Sequence, residues 1–137
     1  MIIRYHDAKQ CNIASLKALY QSVGWKIYTE DMKRFKEMFE NAYDVIGAFE
    51  GAELVGLIRV LSDGAHIVYI QDVLVKPEKQ RQGIGKKLLS HVLDKYKDIR
   101  QKVLITDASS KDSQAFYRSV GLQEASEMKI TCFLTLS

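Results

Sequence analysis

Proline and cysteine are scarce in this chain of 137 residues, which contains one proline and two cysteines. Cys11 and Cys132 lie far apart, and neither belongs to a CxxC or Cys/His cluster, so we expect no metal centre. Both are expected to be reduced thiols that pack as small hydrophobic side chains. Cys132 as an acyl-carrying nucleophile is the alternative, but it has no histidine nearby in sequence.

Long apolar runs and a large net charge are also lacking. No run approaches the roughly 20 apolar residues of a membrane-spanning helix, and the N-terminus lacks the apolar run of a signal peptide. The net charge of +3 is too small to favour nucleic acid as a partner. Hydrophobic residues make up 47% and charged residues 27%, which is typical of a globular protein. We expect one cytoplasmic domain over residues 1–137, with no membrane and no nucleic-acid partner.

Hydrophobic periodicity predicts an α/β domain with one mixed central sheet and helices on both faces. A nearly continuous apolar run that stops at Pro77 is expected to be a central strand, because proline cannot donate to a β ladder. The helix and strand after it predict a right-handed parallel crossover. The predicted order is strand 2–5, helix 13–23, a helix from a Thr29 cap to 42, strands 45–49, 54–61 and 67–75, helix 84–96, strand 103–106, helix 112–119 and strand 128–136, with a brief strand at 122–125 also compatible.

The most informative segment is the glycine-containing turn between the central strand and the next helix. A helix N-terminus has backbone N–H groups without helical partners and a partial positive charge, and glycines there let a large anion approach. Arg81, Lys86 and Lys87 add positive charge, so a pyrophosphate is the expected guest. Gln80 stands where a P-loop needs its first glycine, and Leu88 stands where a dinucleotide fingerprint needs its third, so both motifs fail.

The run Gln80-Arg81-Gln82-Gly83-Ile84-Gly85 fits the pattern [Gln/Arg]-x-x-Gly-x-[Gly/Ala], after a strand that ends Val-x-Pro. Together with the later Phe116-Tyr117, it resembles the acetyl-CoA pyrophosphate loop of the GNAT N-acetyltransferases. The resemblance covers nearly the whole chain. The sequence is similar to small bacterial GNAT proteins and to the catalytic part of plant arylalkylamine N-acetyltransferases. The alternative is a tight turn whose glycines only permit helix–sheet packing.

The resemblance implies that the central strand parts from the next parallel strand and that acyl-CoA lies in the resulting cleft. Backbone groups of Val73 and Val75 would bind the acyl-pantetheine arm, and backbone N–H groups from Arg81 to Lys86 would bind the pyrophosphate. Ser110 stands where the family often has an asparagine that contacts the pantetheine. The cofactor is therefore expected to be acetyl-CoA, with binding residues Val73, Val75, Gln80, Arg81, Gln82, Gly83, Ile84, Gly85, Lys86 and Ser110.

Acyl transfer to an amine requires a neutral attacking amine, a stabilised oxyanion and a departing thiolate. Tyr117 matches the tyrosine that in many GNAT enzymes lies beside the CoA sulfur as general acid; the alternative is a core tyrosine. Asp72 lies in an apolar run, where a carboxylate is unfavourable unless it is paired or functional. It is a candidate to hold or deprotonate the substrate ammonium, or to be structural beside Arg59. Gln71 is expected to face the other side, and His66 or a water chain is another candidate base.

Trp25 and Tyr28 are the candidate acceptor-binding residues, because GNAT folds build part of the acceptor pocket from the corresponding loop. Trp25 closing the core is the alternative. The leading hypothesis is an acetyl-CoA-dependent N-acetyltransferase that acts on a primary amine, preferably a small molecule. A non-catalytic acyl-CoA-binding or sensing module and a protein lysine or N-terminal acetyltransferase are the alternatives. The late run 130–134 is compatible with pairing to a partner's sheet in a homodimer.

Overall fold

The structure, a computed structural model, describes residues 2–137 and has two compact units, one through Ile105 and one from Thr106 to Ser137. No helix in the described part of the chain has the length and apolar character to cross a membrane. The elements of the first unit are β1 (Ile3–Asp7), α1 (Ile13–Ser22), α2 (Lys26–Thr29), α3 (Met32–Glu40), β2 (Asp44–Glu50), β3 (Glu53–Ser62), β4 (Ile67–Val75), a 3-10 turn (Pro77–Lys79), α4 (Ile84–Lys95) and β5 (Gln101–Leu104). The second unit contains α5 (Lys111–Ser119) and a 3-10 turn (Ala125–Met128).

The five strands form one sheet in chain order. The pairs β1–β2, β2–β3 and β3–β4 are antiparallel, whereas β4 and β5 are parallel. Helix α4 connects the two parallel strands, as the strand–helix–strand pattern predicts. The predicted α/β class with a mixed sheet is confirmed.

Helices cover both faces of this sheet. Leu57 of β3 and Leu74 of β4 belong to the buried cluster that also contains the apolar side chains of α1 and α3. Gly56 precedes Leu57 and therefore faces the other way, where a Cβ atom would lie 3.1 Å from Ile84 Cγ2 and 3.4 Å from Leu88 Cδ1 of α4. The predicted two-sided packing is confirmed.

Strand β4 contains one residue more than the part of β3 that it pairs with. Arg59 pairs with Asp72 and Val60 pairs with Ile70, so Gln71 is the extra residue of a β-bulge. The prediction that Gln71 faces away from Asp72 is wrong. The Gln71 Nε2 atom lies 3.3 Å from the hydroxyl of Tyr28, which also bonds Asp72, because the bulge interrupts the alternation of side chains.

The second helix boundary also differs from the prediction. Thr29 is not the cap of α3, because it belongs to the single-turn helix α2. Asp31 is the cap, and its carboxylate accepts hydrogen bonds from the backbone N–H groups of Lys33 and Arg34. A carboxylate at this position satisfies two backbone donors and interacts favourably with the helix dipole.

The last segment of the chain does not form the predicted strand 128–136, and no brief strand occurs at 122–125. Residues Ala125–Met128 form a 3-10 turn, and Lys129 follows in the left-handed conformation with φ of 59°. The apolar side chains beyond it are exposed, with Phe133 at 94%. The sequence alternation alone does not produce a strand, because a strand needs hydrogen-bonding neighbours. Pairing of this segment with a second copy stays a prediction.

Gly47 of β2 offers a test of the packing between the sheet and α1 and α3. A Cβ atom there would lie 2.7 Å from Phe49 Cε2 and 2.9 Å from both Ala8 Cβ and Leu54 Cδ1. We expect Gly47→Ala to lower the free energy of unfolding by about 1–3 kcal/mol, because buried side chains have to move. At Gly56 the nearest atom to a built Cβ lies at 3.1 Å, so Gly56→Ala should lower the free energy of unfolding by less. Urea unfolding followed by the fluorescence of Trp25 measures both, and the reverse order would contradict this account of the packing.

Candidate active site

The turn between β4 and α4 presents backbone N–H groups without partners. Arg81 and Gly83 both adopt positive φ angles, 64° and 83°, and Gly83 immediately precedes the helix. No side chain caps the N-terminus of α4, so its first-turn N–H groups have neither a helical partner nor a capping side chain. Left-handed residues beside a helix start form the kind of concave backbone that binds anions.

Conformation, rather than tight packing, requires glycine at position 83. A Cβ atom built there would have nothing within 4 Å, so the backbone is open to an approaching ligand. Arg81 adopts the left-handed conformation without being glycine, which costs about 1–2 kcal/mol for an L-residue. The side chains of Arg81, Lys86 and Lys87 are exposed around this surface. An anion such as a pyrophosphate fits both the backbone and the charge.

The base of the turn is tied to the sheet. The Gln80 side-chain amide donates to the backbone oxygen of Val75 at 3.0 Å. Lys76 forms an ion pair with Glu53 at 3.0 Å, and Lys79 forms one with Glu50 at 2.7 Å. These contacts hold the start of the turn against β4 and the β2–β3 hairpin. Gln80 therefore supports the turn with its side chain.

Val73 and Val75 direct their backbone groups away from β3. The N–H of Lys76 donates to the backbone oxygen of Val55 in β3 at 2.8 Å. Backbone groups point alternately to the two sides of a strand, so those of Val73 and Val75 point to the side opposite that of Lys76. The opposite edge of β4 pairs with β5 only as far as Ile70, opposite Leu104. Beyond that pair, no strand within residues 2–137 occupies this edge of β4. The Val75 oxygen already accepts from the Gln80 side chain, so the outward groups without a strand partner here are those of Val73 and the N–H of Val75.

Asp72 is buried and fully engaged. Its side chain is 1% exposed, and Arg59 Nε lies 2.6 Å from Oδ2. Tyr20 donates to the same oxygen at 2.8 Å, and Tyr28 donates to Oδ1 at 2.9 Å. The carboxylate joins β3, β4, α1 and α2 in one hydrogen-bonded cluster. This is the structural partnership with Arg59 that the sequence leaves open, and a catalytic role for Asp72 stays a proposal.

Burial keeps both tyrosines of this cluster protonated. Desolvation, followed by the nearby charge of Asp72, raises the pKa of Tyr20 well above its ordinary value and also raises that of Tyr28. Burial alone would lower the pKa of Arg59, but the neighbouring carboxylate offsets this and the net shift is upward. At neutral pH the two hydroxyls are therefore hydrogen-bond donors to a charged pair.

The candidate acceptor side of the first unit is aromatic. The ring of Trp25 lies 6.1 Å from that of Tyr20 and 6.2 Å from that of Tyr28. Trp25 and Tyr28 are partly buried against the core, and Ile27 between them is 76% exposed. Trp25 packs against the core, as one of the two expectations states, and its role in acceptor binding stays a prediction. The cluster combines flat apolar surface with the hydroxyl of Tyr28.

The second unit contains the other two candidate residues. The Tyr117 hydroxyl is partly buried, which raises its pKa, while a hydrogen bond with the Thr106 side chain lowers it less. Ser110 caps α5, because its hydroxyl accepts from the N–H of Ser113. Its side chain is thus already used in the fold. His66, the alternative base, is exposed in the turn before β4 and remote along that strand from Asp72.

Sequence reasoning missed three features of this region. Tyr20 lies in the predicted helix 13–23, but no partner was predicted for its hydroxyl, which donates to Asp72. The bulge at Gln71 and the left-handed backbone of Arg81 were also not predicted. A tyrosine among the aliphatic residues of a predicted core helix is a usable signal, because its hydroxyl needs a partner when buried. Neither the bulge nor the backbone angle has such a signal in a single sequence.

Comparison with known proteins identifies the family of this chain. The profile of a family described as "Acetyltransferase (GNAT) domain" matches residues 16–131, which is most of the chain. The chain belongs to the GNAT acetyltransferase family. An uncharacterised ycf52-like N-acetyltransferase from Prochlorococcus marinus is 30% identical over 123 residues, which cover 85% of this GNAT chain and 66% of the relative. The histone acetyltransferase TAP1 of Glycine max is 30% identical over 134 residues, which cover 88% of this chain and 56% of that protein.

Solved structures show the same fold. A GNAT-family acetyltransferase from Streptococcus pneumoniae TIGR4 superposes with a TM-score of 0.85 at 28% identity and covers 99% of this GNAT chain and 98% of its own. The curated relatives are longer, because this chain spans less than two thirds of the length of each one described above. Family and fold follow directly from these matches.

Removal of one partner of the buried pair in this GNAT domain should destabilise the fold strongly. We expect Arg59→Met to lower the free energy of unfolding by about 3–5 kcal/mol, because it leaves the Asp72 carboxylate buried without its cation. The matched control is Arg34→Met, which breaks the Arg34–Asp31 pair, where the two side chains are 86% and 58% exposed. Its loss should be about 1 kcal/mol or less. Urea unfolding compares the two, and equal losses would contradict the importance assigned to Arg59.

Proposed function

We propose that this protein is an acetyl-CoA-dependent N-acetyltransferase whose acceptor is a small-molecule primary amine. The single observation that carries the proposal is the uncapped start of α4 behind two left-handed residues, Arg81 and Gly83. This surface has the hydrogen-bond donors and the positive charge that a pyrophosphate requires. Membership in the GNAT family supports acetyl-CoA as the ligand that carries it.

The residues present fit acetyl-CoA. Backbone N–H groups from Arg81 to Lys86 are proposed to hold the pyrophosphate, with the open approach at Gly83. The outward backbone groups of Val73 and Val75 are proposed to hold the pantetheine arm. When bound, acetyl-CoA supplies an acetyl group activated as a thioester. In this arrangement the protein contributes binding and orientation through its backbone rather than through side-chain charge alone.

Tyr117 is proposed as the general acid for the departing sulfur. The phenol carries a proton at neutral pH, and burial raises its pKa above the ordinary value of 10.0. The proton is therefore available across the physiological range. The resemblance of Phe116-Tyr117 to the GNAT pattern supports this role.

The acceptor is proposed to be a small amine on the basis of the surface formed by Trp25, Ile27 and Tyr28. This surface is largely apolar and aromatic, with one of its residues 76% exposed. Among the relatives, one is named a histone acetyltransferase. A fold neighbour of 20% identity is an aminoglycoside acetyltransferase in complex with sisomicin. The relatives thus leave both acceptor classes open, and the aromatic surface favours the small amine.

Substitution of Gly83 tests the pyrophosphate surface. We expect Gly83→Asp to weaken acetyl-CoA binding at least about tenfold more than Gly83→Asn, because the two side chains have similar size and only one adds negative charge beside the phosphates. Isothermal titration calorimetry measures the dissociation constants.

The matched control is Gly51→Asp in the β2–β3 turn. Gly51 also has positive φ, 61°, and nothing within 4 Å of a built Cβ, so the backbone strain is comparable. The control should bind acetyl-CoA like the wild type. Equal acetyl-CoA affinity for Gly83→Asp and Gly83→Asn would contradict the proposal that the pyrophosphate binds at this turn.

Tyr117→Phe tests the proposed general acid. We expect kcat to fall by about 10²-fold or more while the acetyl-CoA dissociation constant stays unchanged, because only the hydroxyl is lost. Because the pKa of Tyr117 lies above 10.0, wild-type kcat should show no loss from this group below that pH. Tyr43→Phe, at a ring that is 48% exposed, is the control and should keep full activity. Unchanged turnover in Tyr117→Phe would exclude the tyrosine from the reaction.

A substrate screen separates the proposed enzyme from the alternatives. Release of free CoA is measured with a panel of primary amines and, in parallel, with lysine-containing and N-terminal peptides. Turnover on amines alone supports the proposal, and turnover on peptides alone would assign a protein acceptor. Acetyl-CoA binding without turnover on either panel would assign a sensing module.

A further inference from the structure

The hydroxyl of Tyr28 already donates its only hydrogen. It donates to Asp72 Oδ1 at 2.9 Å and receives the Gln71 Nε2 group at 3.3 Å. A phenol has one hydrogen and two lone pairs. With its hydrogen directed at a carboxylate, the Tyr28 oxygen meets any further group only as an acceptor. A ligand that contacts it must bring an N–H or O–H.

Asp72 cannot meet a ligand directly. Its side chain is 1% exposed and receives Arg59 Nε and the Tyr20 hydroxyl on its other oxygen. The Arg59 guanidinium also lies 5.7 Å from the centre of the Tyr28 ring. The carboxylate therefore influences the surface only through the group it holds there, which is the Tyr28 hydroxyl.

The Tyr28 oxygen lies beside the cleft edge of β4. Its partners Gln71 and Asp72 are the first residues of β4 beyond the last pair with β5. Val73 and Val75, whose backbone groups face that edge, follow directly in the strand. Around the oxygen the surface is apolar, with Trp25 partly buried and Ile27 exposed. Tyr28 thus offers a polar acceptor, with the exposed Gln71 amide beside it, next to the assigned acyl position.

We propose that the Tyr28 oxygen, held as an acceptor by Asp72, binds an N–H of the acceptor amine, and that Asp72 is a positioning residue that acts through Tyr28. The inference rests on the proposed function and names the group that selects its acceptor. The ligand class is a primary amine with an apolar body. The contact binds and orients the amine, and no proton passes to Tyr28 or Asp72.

Two tyrosine variants separate this role from a structural one. Tyr28→Phe and Tyr20→Phe each remove one hydroxyl that donates to Asp72, but Tyr20 is 0% exposed and has no access to a ligand. For Tyr28→Phe we expect the amine KM to rise about three- to tenfold, the effect of one lost hydrogen bond, with acetyl-CoA affinity unchanged. Tyr20→Phe should lower the urea midpoint and leave the amine KM as in the wild type. Equal rises in KM for the two variants would overturn the proposal.

A third variant tests whether the neighbouring amide binds the amine instead. Gln71 is exposed, so Gln71→Leu is expected to fold. Its long hydrogen bond to Tyr28 competes with the amine, and its removal should leave the amine KM unchanged or lower it. A rise that matches Tyr28→Phe would assign the amine to Gln71 and overturn the proposal.

A binding measurement keeps this test independent of turnover. Calorimetry with 2-phenylethylamine as the probe, on protein saturated with CoA, gives the amine dissociation constant for the wild type and each variant. An amine dissociation constant that is higher for Tyr28→Phe, but not for the other variants, supports the inference. Equal amine dissociation constants for the wild type and Tyr28→Phe would overturn the inference, whether or not the protein is an enzyme. Absence of turnover with every amine, by contrast, would overturn only the proposed acetyltransferase function.

Discussion

The buried ion pair between Arg59 and Asp72 is the interaction on which the arrangement of the first unit depends. A carboxylate that is 1% exposed is stable only because a guanidinium and two hydroxyls satisfy it. Those partners come from a neighbouring strand and from two helices of the opposing layer. The pair therefore links α1 and α2 to the sheet through hydrogen bonds. The same contacts hold the Tyr28 hydroxyl on the aromatic surface, beside the Gln71 amide.

The bulge in β4 explains how one strand serves two surfaces. Upstream of Gln71, β4 pairs with β5; downstream, its outer backbone edge has no strand beside it among residues 2–137. Backbone groups released from a ladder need other partners, and a ligand with amides along an extended arm is a suitable one. The polar side chains at the bulge face the aromatic surface. The proposed cofactor edge and the proposed acceptor surface thus meet at one strand without competing for the same atoms.

The sequence predicted the parts of this molecule that depend on local patterns. The β-rich runs of β2 and β3 and the nearly continuous apolar run of β4 correctly indicated these strands. Pro77 indicated the end of β4, and the glycines before α4 indicated the start of that helix. The bulge could not be predicted, because it depends on the pairing of Arg59 and Asp72 across two strands. The final strand failed for a related reason, since residues 130–136 have a strand-like sequence but no ladder. The roles assigned to Tyr117 and Ser110 came from resemblance alone and stay predictions.

The extra residue in β4 also has a consequence for the chain's evolution. Loss of Gln71 would leave Arg59 opposite Asp72 and Val60 opposite Ile70, because the bulge residue itself has no partner in β3. The other side chains of β4 would keep their faces, and the strand would lose only its local bend and an exposed amide. A deletion at this position therefore leaves both packed layers of the sheet with the same residues. Differences in length among descendants of this sequence should be tolerated at Gln71 as well as in the exposed β2–β3 turn.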